Sequence, residues 1–269
     1  MSAKATILGG REVEAVRQPG HWLLAGMGKR VLRPGGREMT AWMLEQLAIG
    51  PQDRVVEFAP GMGATARLTL AARPQEYTAV ERDAAAAARL RARLADVGPT
   101  AARCLEASAE ATGIESGSCS VVYGEAMLTM QTAEQKGRIV AEAARLLGPH
   151  GRYAIHELCL VPDGLDPALQ RQIQADLSRE IHVGAQPLTG PAWRALLNNA
   201  GLRVVAERRS PMHLLEPGRL LRDEGPLGMA HLLWNALRRP AARQRVCAMR
   251  ALFRQYRDHL QAISLIAAA

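Results

Sequence analysis

The sequence predicts an α/β protein: a seven-stranded, mostly parallel sheet covered by helices, with an antiparallel last strand. Three observations point there. Short apolar runs (RVVEF at 54–58, YTAVE at 77–81, SVVY at 120–123, GRYAIHEL at 151–158) alternate with segments of helical period from residue 37 to about 160. A glycine turn follows the first of those runs directly. The 269 residues are 48% hydrophobic and 22% charged, ample for a buried core.

The first 36 residues read as a helical lid, with short helices over 11–16 and 21–31 closed by Pro34-Gly35-Gly36. Over 37–48 the residues Met39, Trp42, Met43 and Leu47 recur at helical spacing, and Gly50-Pro51 ends the run. Strand 54–58 leads through the glycine turn into a helix over 64–72. Strand 77–81 leads into a helix over 83–95, which contains the strongly helix-forming run Ala84 to Ala88. A weaker strand over 103–107, strand 120–123, a helix over 133–147 stopped by Gly148-Pro149, and strand 151–158 complete the core. Helices over 167–182 and 190–200 follow, then a strand over 202–208. Helices over 217–237 and 241–259 flank Pro240, and 262–267 (AISLIA) reads as an edge strand. The expected organisation is one domain: lid 1–36, ligand-binding core 37–160, lid and helix 161–201, and the last two strands in 202–269. The mostly helical stretch at about 211–259 reads as an insertion over one end of the sheet.

No run of roughly 18 uncharged apolar residues suggests a membrane span, and the N-terminal residues lack a signal-peptide core. Cys104, Cys119, Cys159 and Cys247 are widely spaced, without a Cys-x-x-Cys pair. Free thiols in the cytoplasm, and no metal site, are expected. The net charge of +8 is nearly all arginine, with lysine only at 4, 29 and 136. A nucleic-acid partner is open on charge but not favoured, because the arginines are spread along the chain. One concentration exists: Arg238, Arg239, Arg243, Arg245, Arg250, Arg254 and Arg257. Positions 243, 250, 254 and 257 share a helix face, read as solvated or as a contact for an anionic substrate, a membrane surface or RNA. The protein is expected to be a monomer or homodimer.

The most informative stretch is Val55-Val56-Glu57-Phe58-Ala59-Pro60-Gly61-Met62-Gly63-Ala64. A strand ends in a carboxylate, a turn carries Gly61 and Gly63, and a helix begins. Glycines there let the backbone approach a ligand closely, and ligands of open parallel sheets sit at the carboxyl ends of the strands. Glu81, at the end of the second strand, is placed to accept hydrogen bonds from a ribose diol.

These residues resemble the class I, Rossmann-like S-adenosylmethionine-dependent methyltransferases, in particular the small-molecule branch that includes the ubiquinone and menaquinone C-methyltransferases. The family's acidic-x-Gly-x-Gly-x-Gly motif corresponds to Glu57, Ala59, Gly61 and Gly63, with Ala59 in place of the first glycine. The likeness continues through Glu81, the stretch Ala107-Ser108-Ala109-Glu110, the SVVY strand and the turn Leu147-Gly148-Pro149-His150-Gly151, covering residues 37–160. It implies S-adenosyl-L-methionine as cofactor and S-adenosyl-L-homocysteine as product. Glu57 would hold the methionine ammonium, and the backbone of Ala59, Gly61 and Gly63 would line the methionine and ribose. Glu81, with Arg82 beside it, would bind the ribose. Ser108 and Ala109 would meet the adenine, and Glu125 would lie near the methionine end and the acceptor. Ser108 stands where many members have Asp, so the adenine amino contact must weaken or move to Glu110.

Gly61-x-Gly63-x-x-Ala66 also satisfies a dinucleotide pattern. Glu57 weighs against it, repelling a pyrophosphate at the helix N-terminus and attracting an ammonium. Methyl transfer from a sulfonium is an in-line displacement that requires positioning and no covalent nucleophile. If the acceptor must lose a proton, the candidate catalytic groups are Glu125, His156 and Glu157 at strand ends. The last two alternate on one strand and face opposite sides. Trp and Met residues of the lids suit a small hydrophobic or aromatic acceptor. An RNA methyltransferase, an NAD-dependent oxidoreductase and a non-catalytic adenosyl-binding relative remain as alternatives.

Overall fold

The computed structural model describes residues 18–29, 31–95 and 100–269. The helix expected over 11–16, and Arg30, lie outside them. The elements run α1 (Gly20–Gly26), α2 (Gly36–Leu47), β1 (Arg54–Phe58), α3 (Ala64–Ala71), β2 (Glu76–Glu81), α4 (Ala84–Leu94), β3 (Ala101–Glu106) and β4 (Cys119–Glu125). Then come α5 (Ala133–Leu146), β5 (Leu147–Leu160), α6 (Pro167–Ile181), β6 (Leu188–Thr189), α7 (Gly190–Asn198), β7 (Arg203–Pro211), α8 (Pro217–Arg238), α9 (Pro240–Gln255) and β8 (Leu260–Ala268). Local chemistry sets several helix starts. Asp83 accepts from Ala86 N at 2.7 Å at the start of α4. Thr132 and Gln135 form a reciprocal capping box on α5, and Asp166 caps α6 ahead of Pro167.

The sheet order is β3-β2-β1-β4-β5-β8-β7. β1 to β5 are parallel, and β8 is antiparallel to both of its neighbours. Alternation along β1 divides the core. Val56 and Phe58 join α5 and α7 on one face. Val55 joins α2, α3 and α4 on the other, with Tyr77 and Tyr123 from the flanking strands. Strand order reverses at β1, so the turns after β1 and β4 open beside each other at the carboxyl edge.

Three expectations need correction. The sheet has eight strands, because the two-residue β6 pairs in parallel with Cys159 and Leu160 of β5; so short a strand carries no periodic signal. The 262–267 run is internal, paired with β5 on one side and β7 on the other. Its sequence, apolar but for the buried Ser264, fits a strand buried on both faces, whereas the edge strand β7 exposes Arg203 and Arg208. Finally, the helix over 217–237 is broken: Gly225 (φ 74°, ψ 174°) leaves the helical region, and Pro226 restarts the helix. The four cysteines are free, Cys247 exposed and the others buried. No helix among the described residues is long and apolar enough to cross a membrane.

Candidate active site

A cavity of about 310 Å³ lies at the carboxyl edge of the sheet, a size suited to a small ligand. It is bordered by the β1 turn, by Glu81 and Arg82 after β2, by Ala107 to Glu110 after β3, and by Glu125 to Met127 after β4. The β1 turn places Ala59 (φ 50°), Gly61 (φ 56°) and Gly63 (φ 71°) in the left-handed region. A Cβ on Gly63 would come within 2.8 Å of Leu90 Cδ1, whereas one on Gly61 would meet nothing within 4 Å. Gly63 thus lets α3 approach α4, and the Gly61 backbone borders open cavity. Ala59 adopts the same handedness with a side chain, at a cost of about 1–2 kcal/mol.

Glu57 points to the α2–α4 face, where its register partner Tyr123 donates to it at 2.8 Å and Tyr77 donates through a second hydroxyl. Thr69 exchanges a 2.7 Å hydrogen bond with the Tyr123 hydroxyl. Burial raises the Glu57 pKa to about 7, against the lowering effect of the tyrosine hydrogen bonds; the nearby Glu125 adds to the rise. Glu81 lines the cavity, oriented by a 3.0 Å hydrogen bond from Asp83 N. Ser108 accepts from Glu110 N at 3.2 Å. Glu110 borders the cavity, but Arg138 holds its carboxylate at 2.6 Å.

Glu125 has the opposite character to Glu57. Its Oε1 accepts from Thr65 at 2.5 Å and faces the Arg33 Nε at 3.0 Å; its Oε2 accepts from Thr40 at 2.5 Å and from His156 Nδ1 at 2.8 Å. Burial opposes ionisation, but the Arg33 charge, His156 and Thr40 outweigh it and bring the pKa down to about 2. His156 Nε2 accepts from Gly35 N at 3.0 Å, which fixes the imidazole proton on Nδ1. Both ring nitrogens are therefore engaged, and His156 is fully buried outside the cavity lining. Glu157 lies on the opposite side of β5. It accepts from the backbone N–H groups of Met127, Leu128 and Thr129 and from the Thr129 hydroxyl, at 2.7–3.0 Å. It pins the loop that follows β4 and does not border the cavity either. Of the three acid–base candidates, the structure brings only Glu125 to the cavity.

Part of the N-terminal segment borders the site. His21 and Trp22 of α1, with Leu32 and Arg33, line the cavity. Burial, with the charge of Arg82, lowers the His21 pKa and so favours the neutral ring. This segment is fastened to α8: Glu224 accepts from Val31 N at 2.9 Å and lies 3.7 Å from Lys29 Nζ, and Asp223 accepts from Arg37 N at 3.2 Å. Arg33 was not singled out by the sequence; its only local signal is its place before Pro34-Gly35-Gly36. The C-terminal arginines are partly consumed inside the fold. Arg250 and Arg254 both pair with Glu216. Arg239 donates to Gly26 O and Arg245 to Gln18 O.

The strand order, glycine turn and acid-lined cavity are those of the Rossmann-like methyltransferase fold. Residues 55–151 match the methyltransferase domain family, and the chain is an enzyme whose cofactor is S-adenosylmethionine. An uncharacterized protein of Haemophilus influenzae is 29% identical over 249 residues, 92% of this chain and 96% of that protein. Two solved structures share the fold. A phosphoethanolamine N-methyltransferase of Haemonchus contortus, in complex with phosphomonomethylethanolamine and S-adenosylhomocysteine, is 14% identical with a TM-score of 0.69 over 92% of this chain and 56% of its own. The cyclopropane synthase MmaA2 of Mycobacterium tuberculosis is 16% identical with a TM-score of 0.67, over 86% of this chain and 83% of its own.

Proposed function

We propose that the protein methylates a small hydrophobic or aromatic molecule held between the carboxyl edge of the sheet and a lid formed by α1 with Leu32 and Arg33, which α8 braces from behind. The observation that carries this reading is the lining beyond the cofactor turns. Trp22, Leu32, Met127, Met130 and Val183 present apolar surface, with the neutral His21 among them. Such a lining excludes water and orients an acceptor without demanding charge from it.

The residues present fit the cofactor. Glu57 takes the ammonium, the Gly61 backbone borders the ribose and methionine, Glu81 takes the ribose diol, and Ser108 and Ala109 face the adenine. An ammonium beside Glu57 offsets the burial that raises its pKa and draws the carboxyl into its ionised form. A pyrophosphate would instead face Glu57, Glu81 and Glu125 together, which speaks against a dinucleotide. When bound, the cofactor supplies an electrophilic methyl on sulfur. The protein's part is positioning and shielding. Glu125, with a pKa near 2 and both oxygens occupied, anchors Arg33 and Thr40 and is a poor base. An acceptor that must lose a proton would find His21.

Calorimetric titration with S-adenosylmethionine, S-adenosylhomocysteine and NADH, followed by turnover assays over quinones, phenols and RNA, tests the reading. Binding of the adenosyl ligands with turnover of an apolar acceptor is expected, and Trp22→Ala should raise the acceptor KM more than it lowers kcat. Turnover of RNA but of no small acceptor would overturn the substrate class.

A further inference from the structure

The second half of α8 presents a surface that the cavity does not use. Past the break at Gly225, one side of Pro226–Arg238 holds the N-terminal segment. Leu232 is buried with Leu23, Leu24 and Met27, and Asn235 Nδ2 donates to Met27 O at 2.8 Å. The outward side carries Leu227, Leu233, Trp234 and Leu237, exposed by 86, 54, 55 and 70%. At 3.6 residues per turn, these four and the exposed Ala230 fall within one arc of about 120°. Single exposed leucines are ordinary, but a whole helix face of them with a tryptophan is a patch.

The charge along this part of the chain has one sign. From Gly225 to Arg257 the chain has seven arginines and neither Asp nor Glu. Arg238 lies over the Trp234 ring at 4.8 Å, and exposed Arg243 follows at the start of α9. A second copy docking here would bring two positive rims together with no acid in the stretch to pair them. A nucleic acid would leave the leucine face in water. An anionic lipid surface satisfies both features, because apolar side chains enter the headgroup–acyl boundary while arginines meet lipid phosphates.

We propose that Pro226–Arg238 lies in the plane of an anionic lipid bilayer, with Leu227, Trp234 and Leu237 inserted and Arg238 and Arg243 among the phosphates. The helix then sits between the bilayer and α1, whose His21 and Trp22 line the cavity. This inference is independent of the acceptor's identity.

Cosedimentation of the full-length protein with phosphatidylglycerol–phosphatidylcholine vesicles, and with phosphatidylcholine alone, tests it. Preferential binding to the anionic vesicles, weakened by salt, is expected. L227S/W234S/L237S should weaken it by about tenfold or more, with an unchanged circular dichroism melting curve. If that variant misfolds, R238E/R243E carries the test and should abolish the preference for anionic lipid. Three results would overturn the proposal: no binding to either vesicle, binding that neither variant changes, or a parent dimer in sedimentation velocity that L227S/W234S/L237S converts to monomer.

Discussion

Replacing Glu125 by Gln tests whether this carboxylate is the clasp that holds the N-terminal segment over the cavity. The substitution keeps size and shape but turns one acceptor oxygen into an NH2 donor. In the parent, both oxygens face donors only: Thr65 and Arg33 at Oε1, Thr40 and His156 Nδ1–H at Oε2. If the amide nitrogen of Gln faces Arg33, two donors confront each other and the partly buried guanidinium loses its counter-charge. If it faces His156, the ring must move its proton to Nε2, where Gly35 N already donates. Neither orientation satisfies the network. Breaking a buried pair by altering one partner costs about 3–5 kcal/mol. The pKa leads to a similar figure: lowering it from 4.5 to about 2 corresponds to about 3 kcal/mol favouring the ionised form. Urea denaturation at pH 7 is the assay, with limited proteolysis reporting release of residues 18–36. E125Q should unfold with about 3 kcal/mol less stability, or lose protection of that segment before the sheet unfolds. The linkage has a definite sign. A depressed pKa contributes stability above the ordinary carboxylate range, lost as pH falls from about 4.5 toward 2. E125Q should lack that acid-sensitive component. A variant within about 0.5 kcal/mol of the parent, with the segment still protected, would refute the clasp.

Glu57 should behave in the opposite sense. Its pKa near 7 means that the free protein gains from protonating it, a contribution complete below about pH 4.5 and lost as pH rises through 7. Because an ammonium needs the ionised carboxyl, affinity for S-adenosylhomocysteine should weaken below pH 7 by up to about tenfold per pH unit. E57Q should bind more weakly at pH 8 and lose that slope; calorimetry at pH 6, 7 and 8 reads both. Glu81→Ala should cost about 1–3 kcal/mol of adenosyl-ligand affinity, and unchanged affinity in a folded variant would remove Glu81 from the site. Ala59→Gly relieves a left-handed alanine at φ 50° and should stabilise the fold by about 0.5–1 kcal/mol in urea denaturation. A loss of stability would show that the alanine methyl packs better than its backbone strain costs.

The parts of this site that lie close together in sequence could be read without coordinates. A strand, its turn and the helix after it form one local unit, so the spacing alone brings Glu57 and Gly61 to the cavity edge, and the end of the next strand brings Glu81; Gly63 packs against Leu90 instead. Most of the tyrosine environment of Glu57 was also within reach: once β1 lies between β2 and β4, Tyr77 and Tyr123 fall on its face. The clasp was not legible. Gly35 meets His156 across 121 residues, Thr40 meets Glu125 across 85, and Val31 meets Glu224 across 193. No local period encodes such pairs; they exist because the switch at β1 and the insertion between β7 and β8 bring distant segments to one edge. By position alone Glu125, His156 and Glu157 are all acid–base candidates, since strand ends are where such chemistry sits. What sets their role is the occupancy of their lone pairs and protons. A carboxylate with four donors and an imidazole with both nitrogens engaged have no capacity left for a substrate proton. The same count assigns Glu157 to the loop after β4, and it leaves His21 of α1 as the imidazole that borders the cavity among the described residues, its pKa lowered by burial.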